Sequence, residues 1–138
     1  MKYCFLILLS WLLGFTSHLN AQKITLGKED LKAVLCQQWG VDFAKMGEMK
    51  IKQIPGATDF DFRFKPDGTY EIIEEKGEIR EGSWTFYPEG KYVELEINGT
   101  TTSRIASINA SKLIQVMTPE DNGPPGLPKL EVHFKPVR

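Results

Sequence analysis

The feature that most constrains the fold is a β-hairpin that can be read from the sequence between residues 59 and 75. Three phenylalanines alternate with charged residues across Phe60–Lys65, which gives one aromatic face and one charged face. Pro66-Asp67-Gly68 then predicts a three-residue turn, because proline fixes φ and glycine tolerates the positive φ that closes it. In that register Phe64 lies opposite Tyr70, so the apolar face continues across both strands.

The chain beyond this hairpin reads as further short strands with frequent turn signals. Alternating segments predict strands over Met49–Ile54, Ile79–Tyr87, Tyr92–Ile97, Thr100–Ile108, Lys112–Thr118 and Lys129–Lys135. Asn98-Gly99 is a strong two-residue hairpin signal, and Asn109-Ala110-Ser111 is a second turn. Residues 119–128 contain four prolines and two glycines, which predicts a long loop.

One helix is predicted before the strands. Apolar residues recur at three- and four-residue spacing within Asp30–Trp39, and Gly40 follows as a stop signal. About eight short strands after one helix predict an all-β fold, an antiparallel up-and-down barrel, because closure removes exposed strand edges. A flattened β-sandwich is the alternative. Trp39, between the helix and the first strand, is expected to pack under the barrel.

Several motifs together resemble the lipocalin-like domains of secreted bacterial proteins, which are small barrels of the calycin type. The resemblance covers residues 35–136 and depends on the Phe64–Tyr70 turn, the Gly82-Ser83-Trp84 strand and the spaced Ile105, Ile108 and Leu113. The chain departs from the pattern at Gln37-Gln38-Trp39-Gly40, where such domains usually carry Gly-x-Trp. The resemblance implies a fold and implies no particular ligand.

The first 21 residues are predicted to be a signal peptide. Lys2 gives a positive start, Cys4–Phe15 is nearly all apolar, and Ala21 supplies the small residue of a cleavage site. The apolar stretch is shorter than the roughly 20 residues of a membrane-spanning helix. We therefore expect a single domain over residues 22–138, exported to the periplasm or secreted, without a stable membrane span.

Charge and cysteine usage restrict the partners of this domain. Removing Lys2 from the 17 basic residues leaves 16 against 18 acidic ones. This near balance, without a Lys/Arg cluster, argues against a nucleic-acid partner. Once Cys4 leaves with the signal peptide, Cys36 has no intramolecular disulfide partner, and a small buried apolar role is expected.

The residue inventory argues against an enzyme. His133 is the single histidine of the expected mature chain, and the alternation of the last strand places it on the solvent face. The sequence contains no Gly-x-Ser-x-Gly, Cys-x-x-Cys or His-Glu-x-x-His motif. We therefore expect a non-enzymatic protein without a catalytic site, metal or cofactor.

The barrel interior is the remaining candidate site. The alternation points eight side chains inward as the candidate ligand-binding set: Phe62, Phe64, Tyr70, Ile72, Trp84, Phe86, Val93 and Leu95. An eight-stranded barrel is either filled by side chains or holds one small ligand. The resemblance favours binding of a small apolar or amphipathic molecule, and a void beside Phe62, Tyr70 and Trp84 is the expected sign of it. The alternative is a filled barrel that presents loops such as 119–128 to a protein or glycan partner; in the binding interpretation that loop is a candidate lid.

Overall fold

A computed structural model describes residues 24–52, 58–117 and 130–138, and the structural statements that follow refer to them. The predicted signal peptide and the predicted loop at 119–128 lie outside the described residues. The helix α1 covers Lys28–Leu35. The strands are β1 (Gln38–Met46), β2 (Met49–Ile51), β3 (Phe60–Phe64), β4 (Thr69–Glu74), β5 (Ile79–Tyr87), β6 (Tyr92–Ile97), β7 (Thr100–Ile108), β8 (Leu113–Met117) and β9 (Leu130–Pro136).

The strands form one antiparallel meander that closes on itself. Their order is β2-β1-β3-β4-β5-β6-β7-β8-β9, and β1 also pairs with β9. Because β2 pairs with one end of β1 outside this circuit, eight strands close the barrel. The predicted up-and-down barrel is therefore confirmed, and the sandwich alternative is wrong.

The first hairpin has the register that its residues predict. Phe64 pairs with Tyr70, and the Lys65 amide donates to the Thr69 carbonyl at 2.9 Å. Gly68 has φ of +91°, and the Asp67 carboxylate accepts from the Thr69 amide at 3.0 Å. The turn residues thus perform the roles expected from their chemistry.

The predicted helix is too long at its C-terminal end. The helix ends at Leu35, and both Trp39 and Gly40 belong to β1. Tertiary pairing explains the difference: β1 has β3 on one edge and β9 on the other, and it supplies the strand that closes the barrel. Of the predicted strand at Met49–Ile54, Met49–Ile51 forms β2, a short addition to β1 rather than the first strand of the barrel. The last two residues of that prediction, 53 and 54, lie outside the described residues.

One end of the barrel is closed by the segment that contains α1. The Ile24 amide donates to the Lys91 carbonyl at 3.2 Å, and the Phe64 amide donates to the Gln37 carbonyl at 3.2 Å. These contacts place the segment against the β5–β6 and β3–β4 turns. Leu31 and Leu35 are fully buried and join the core cluster of the barrel. This end is therefore filled by side chains.

Ion pairs on the outer surface of β3 and β4 are expected to make the stability dependent on pH. The Glu71 carboxylate lies 2.7 Å from Lys65 Nζ and 3.2 Å from the Arg63 guanidinium. The hydrogen bond from Lys65 lowers the pKa of the Glu71 carboxyl from its ordinary 4.5. The unfolded chain therefore takes up this proton first as the pH falls, so the contribution of Glu71 is present at neutral pH and lost in acid.

We expect Glu71→Gln to lower the free energy of unfolding at neutral pH, with the difference from wild type shrinking in acid. Urea unfolding at a series of pH values measures this difference, and Glu89→Gln in the exposed β5–β6 turn is the control. A difference that stays constant across the pH range would show that the charge of Glu71 is not what stabilises the fold.

Candidate ligand-binding site

A cavity of about 530 Å³ occupies the half of the barrel opposite α1. It is lined by residues from β3, β4, the β4–β5 turn, the start of β5, the end of β6 and the facing parts of β7, β8 and β9. These strand ends meet at the end of the barrel away from the helix. The volume lies within the roughly 300–1,000 Å³ that is usual for small-molecule pockets.

The wall of the cavity is mainly apolar and aromatic. Its apolar lining consists of Phe60, Phe62, Tyr70, Ile72, Ile97, Met117, Leu130 and Val132. The rings brace one another, since Phe62 meets Tyr70 edge to face with centroids 5.6 Å apart, and Phe60 meets Phe62 in the same way at 5.1 Å. Such packing fixes the shape of the wall.

Two buried polar side chains interrupt this wall. Ser103 on β7 is fully buried, and Gln115 on the neighbouring β8 is 6% exposed. Gln115 Nε2 donates to Ser103 Oγ at 2.7 Å. Gln115 Oε1 is buried and has no hydrogen-bond partner among the described residues. Both residues line the cavity, whereas this oxygen itself has less than 1 Å² of accessible surface.

The phenol of Tyr70 is a further polar group at the wall. Its hydroxyl donates to the Glu96 carbonyl at 3.5 Å. Burial raises the pKa of the phenol above its ordinary value, so Tyr70 is neutral at physiological pH. The ring thus adds apolar surface and no charge.

Charged residues surround the mouth of the cavity. The described residues of the rim supply four carboxylates and two cations, from Asp59, Glu74, Glu75, Glu78, Lys76 and Arg80. The Arg80 guanidinium lies 3.1 Å from the Glu74 carboxylate, so one cation is already paired. Carboxylates therefore outnumber cations among the described residues of the rim.

Apolar side chains are exposed at the same end of the barrel. Met46 ends β1, Met49 begins β2 and Ile79 begins β5, and they are 41%, 66% and 55% exposed. Met117, at the end of β8, is also exposed and lines the cavity. The mouth therefore combines charged and apolar groups.

The structure divides the eight predicted interior residues between the two halves of the barrel. Phe62, Tyr70 and Ile72 line the cavity. The other five do not line it and pack into the core or against it: Phe64, Trp84, Phe86, Val93 and Leu95. Trp84 Nε1 donates to the Lys65 carbonyl at 2.9 Å, so its polar tip is satisfied at the β3–β4 turn.

Sequence reasoning missed Ser103 and Gln115. The signal that identifies them is a polar residue at an inward position of an alternating strand. Ser103 precedes Ile105 by two residues and Gln115 follows Leu113 by two, and both of those apolar neighbours are fully buried.

The remaining candidate groups lie away from the cavity lining. His133 stacks on Phe43 with centroids 4.3 Å apart, and its Nε2 lies 3.2 Å from a Glu131 carboxylate oxygen. Cys36 is partly buried against the core, and burial raises the pKa of its thiol. Within the described ranges, no group of three or more His, Cys, Asp or Glu side chains is placed to hold a metal ion. No helix in that part of the chain has the length and apolarity needed to cross a membrane.

Comparison with known proteins shows similarity at the level of fold. No family model and no curated protein matches the chain. A crystal structure of a DUF4847 family protein from Bacteroides vulgatus ATCC 8482 is similar, with a TM-score of 0.50 and 14% identity over 76% of this chain and 95% of that chain. A lipocalin-like protein from Bacteroides uniformis ATCC 8492 gives a TM-score of 0.49 and 10% identity, over 75% of this chain and 98% of that chain. The closed meander and the likeness to the DUF4847 family structure confirm the predicted fold, a small closed barrel.

Proposed function

We propose that this protein is an exported, non-enzymatic binding protein that holds a small apolar or amphipathic molecule in the open half of its barrel. The observation that carries the proposal is the cavity of about 530 Å³. The lipocalin-like fold supports a binding function in general terms. Export is proposed from the N-terminal sequence alone.

The composition of the cavity supports an amphipathic ligand. Binding pockets for small molecules are mostly apolar and contain a few placed polar groups that orient the ligand. Here an aromatic and aliphatic wall surrounds the buried pair Ser103 and Gln115. Because side chains fill the barrel near α1, the space for a ligand lies at the opposite end.

The alternative is a module that presents the open end to a protein or glycan partner. Exposed Met46, Met49 and Ile79 favour it, because apolar side chains grouped at one end of a molecule are typical of contact surfaces. Binding of a small molecule requires an empty cavity, whereas contact with a partner at the open end does not. Blocking the cavity therefore distinguishes the two functions.

We expect Val132→Trp to weaken binding of the neutral fluorescent probe N-phenyl-1-naphthylamine at least about tenfold, because the indole occupies cavity space. Val132 lines the cavity, whereas Val116 alternates with Gln115 and Met117 and faces outward, so Val116→Trp is the matched control. Fluorescence titration gives both affinities, and native mass spectrometry of protein purified from its own host identifies a molecule that is retained.

If Val132→Trp does not fold, Ile72→Phe replaces it in the test, because Ile72 also lines the cavity and the change in size is smaller. Equal probe affinity in wild type and a folded cavity variant, with no retained molecule, would contradict the binding proposal. In that case the module that presents its open end to a partner is favoured.

A further inference from the structure

We infer that the three methionines at the open end of the barrel, Met46, Met49 and Met117, are sites of oxidation to methionine sulfoxide by peroxides, and that oxidation of Met117 weakens the binding of an apolar ligand in the cavity. The first part is independent of the proposed function. The second part rests on that function and adds a reversible chemical control to it.

The three side chains lie along one cross-strand row. Met46 pairs with Met49 across the β1–β2 turn, and on its other side Met46 pairs with Leu130 of β9. The register of β8 against β9 places Met117, the last residue of β8, beside the same Leu130. The row therefore crosses neighbouring strands from β2 to β8 and contains every methionine of the chain except Met1.

The exposure of these side chains makes them available to an oxidant in solution. Met46 and Met49 are 41% and 66% exposed, and Met117 is 38% exposed although it also lines the cavity. Cys36, the free cysteine of the described residues, is instead partly buried. Burial raises the pKa of its thiol, so less of the reactive thiolate is present. Oxidation is therefore directed to the thioethers of the open end.

The reaction consumes one peroxide for each methionine. The sulfur attacks one oxygen of hydrogen peroxide, the O–O bond breaks, and a proton transfer releases the other oxygen as water. The electron pair that the sulfur gives up is the pair that reduces the peroxide. Methionine sulfoxide reductases reverse the change, with one enzyme for each stereoisomer of the sulfoxide.

Oxidation of Met117 changes the wall of the cavity, because a sulfoxide is polar and a thioether is apolar. Met117 lines the cavity beside Leu130 and Ser103. An apolar ligand against this wall would cover the S=O group and remove the water that hydrates it, which is unfavourable. Met46 and Met49 do not line the cavity, so their oxidation leaves its wall unchanged.

Peptide mapping by mass spectrometry after brief exposure of the folded protein to hydrogen peroxide tests the first part. We expect each of the three methionines to be oxidised within about tenfold of its rate in the urea-unfolded chain, because the fold leaves all three exposed. Stronger protection of any one of them would overturn the first part.

Titration with N-phenyl-1-naphthylamine, before oxidation and again after the peroxide is removed, tests the second part. We expect oxidation to weaken probe binding to wild type about tenfold, as a polar group in an apolar wall would. In Met117→Leu, whatever its starting affinity, the same treatment should leave the affinity unchanged. The double variant Met46→Leu/Met49→Leu is the matched control, because it retains Met117 and should lose affinity as wild type does.

Two further controls exclude other damage. Cys36→Ala should lose affinity on oxidation as wild type does, which excludes the thiol as the cause. Treatment with both methionine sulfoxide reductases should restore the affinity, which excludes irreversible unfolding. If Met117→Leu does not fold, a time course on wild type replaces it, in which lost binding should follow oxidation of the Met117 peptide and not that of the Met46–Lys50 peptide.

The outcomes separate this inference from the proposed function. If the reduced wild type binds the probe and oxidation of Met117 leaves its affinity unchanged, the cavity binds ligands and the second part is wrong. Equal losses in wild type and Met117→Leu also overturn it. If the reduced wild type does not bind the probe, the proposed function fails and the second part fails with it, whereas the peptide map still decides the first part.

Discussion

Replacing Gly82 with alanine is expected to destabilise the barrel by about 3 kcal/mol, the upper part of the range for overpacking a core. A Cβ at this position would lie 2.5 Å from two atoms of the Tyr70 ring and 2.6 Å from the Glu96 carbonyl oxygen. The ring is 1% exposed and the carbonyl belongs to the backbone of β6, so neither can move aside cheaply. Glycine in the middle of a strand thus marks a close approach.

Urea unfolding of Gly82→Ala measures this effect, and Gly90→Ala is the matched control. A Cβ at Gly90 also meets a tyrosine ring, that of Tyr92, but this ring is only partly buried and can swing away. We expect the control to lose less than about 1 kcal/mol. Combining Gly82→Ala with Tyr70→Leu should cost less than the sum of the single changes, because the ring that causes part of the clash is gone. Additive effects would show that Tyr70 is not the obstacle.

Replacing Trp39 with alanine is expected to cost about 3–5 kcal/mol, the usual loss when a large buried aromatic side chain is removed from a core. Trp39 is fully buried and belongs to the core cluster. Its indole Nε1 also donates to the Leu35 carbonyl at 3.1 Å, and so satisfies one of the last carbonyls of α1. The change therefore removes core packing and the link between helix and barrel together.

Trp39→Phe separates these two contributions. Trp39→Phe retains a ring in the core and loses the indole hydrogen bond. We therefore expect its stability in thermal and urea unfolding to lie between that of the wild type and that of Trp39→Ala. Tyr87→Ala, a partly exposed aromatic stacked on Tyr92, should cost at most about 1.5 kcal/mol. If Trp39→Ala cost no more than Tyr87→Ala, the role of Trp39 as an anchor would be wrong.

The parts of the fold that the sequence predicts well are those set by local chemistry. Asn98 and Gly99 have φ of 52° and 77°, and Ile97 pairs with Thr100 as the Asn-Gly signal indicates. Inside the Asn109 turn, the side-chain oxygen accepts from the Ser111 and Lys112 amides, each at 2.8 Å. Both turns are determined by residues adjacent in sequence, so a single chain suffices to predict them.

The strand β1 was missed because its alternation changes phase. Its register against β9 shifts between Val41 and Phe43, and the inward positions change there from Trp39 to Ala44. A bulge of this kind breaks the period of two on which strand recognition depends. Closure against β9 then favours a strand where the residue spacing alone favours a longer helix.

The candidate site could be predicted in outline and not in detail. Alternation identifies which side chains face the interior, as it does for Phe62, Tyr70 and Trp84. It does not say at which height along the barrel axis they lie, because that depends on strand tilt and pairing around the circuit. Trp84 consequently lies in the filled half, whereas Ser103 and Gln115 lie beside the cavity.

The seam between β1 and β9 has a consequence for how the barrel folds. The other pairings in the circuit join strands that are near each other in the sequence, with at most β2 between them. This pairing instead brings Trp39, near the start of the fold, to Pro136 near its end. Bringing such distant segments together carries the largest loop-closure entropy in the meander, so the seam is expected to form late and to limit the folding rate. Until then β1 and β9 each present an unpaired edge that a second copy of the chain can occupy. The closure that protects the finished barrel is thus the step at which an incomplete one is most prone to associate.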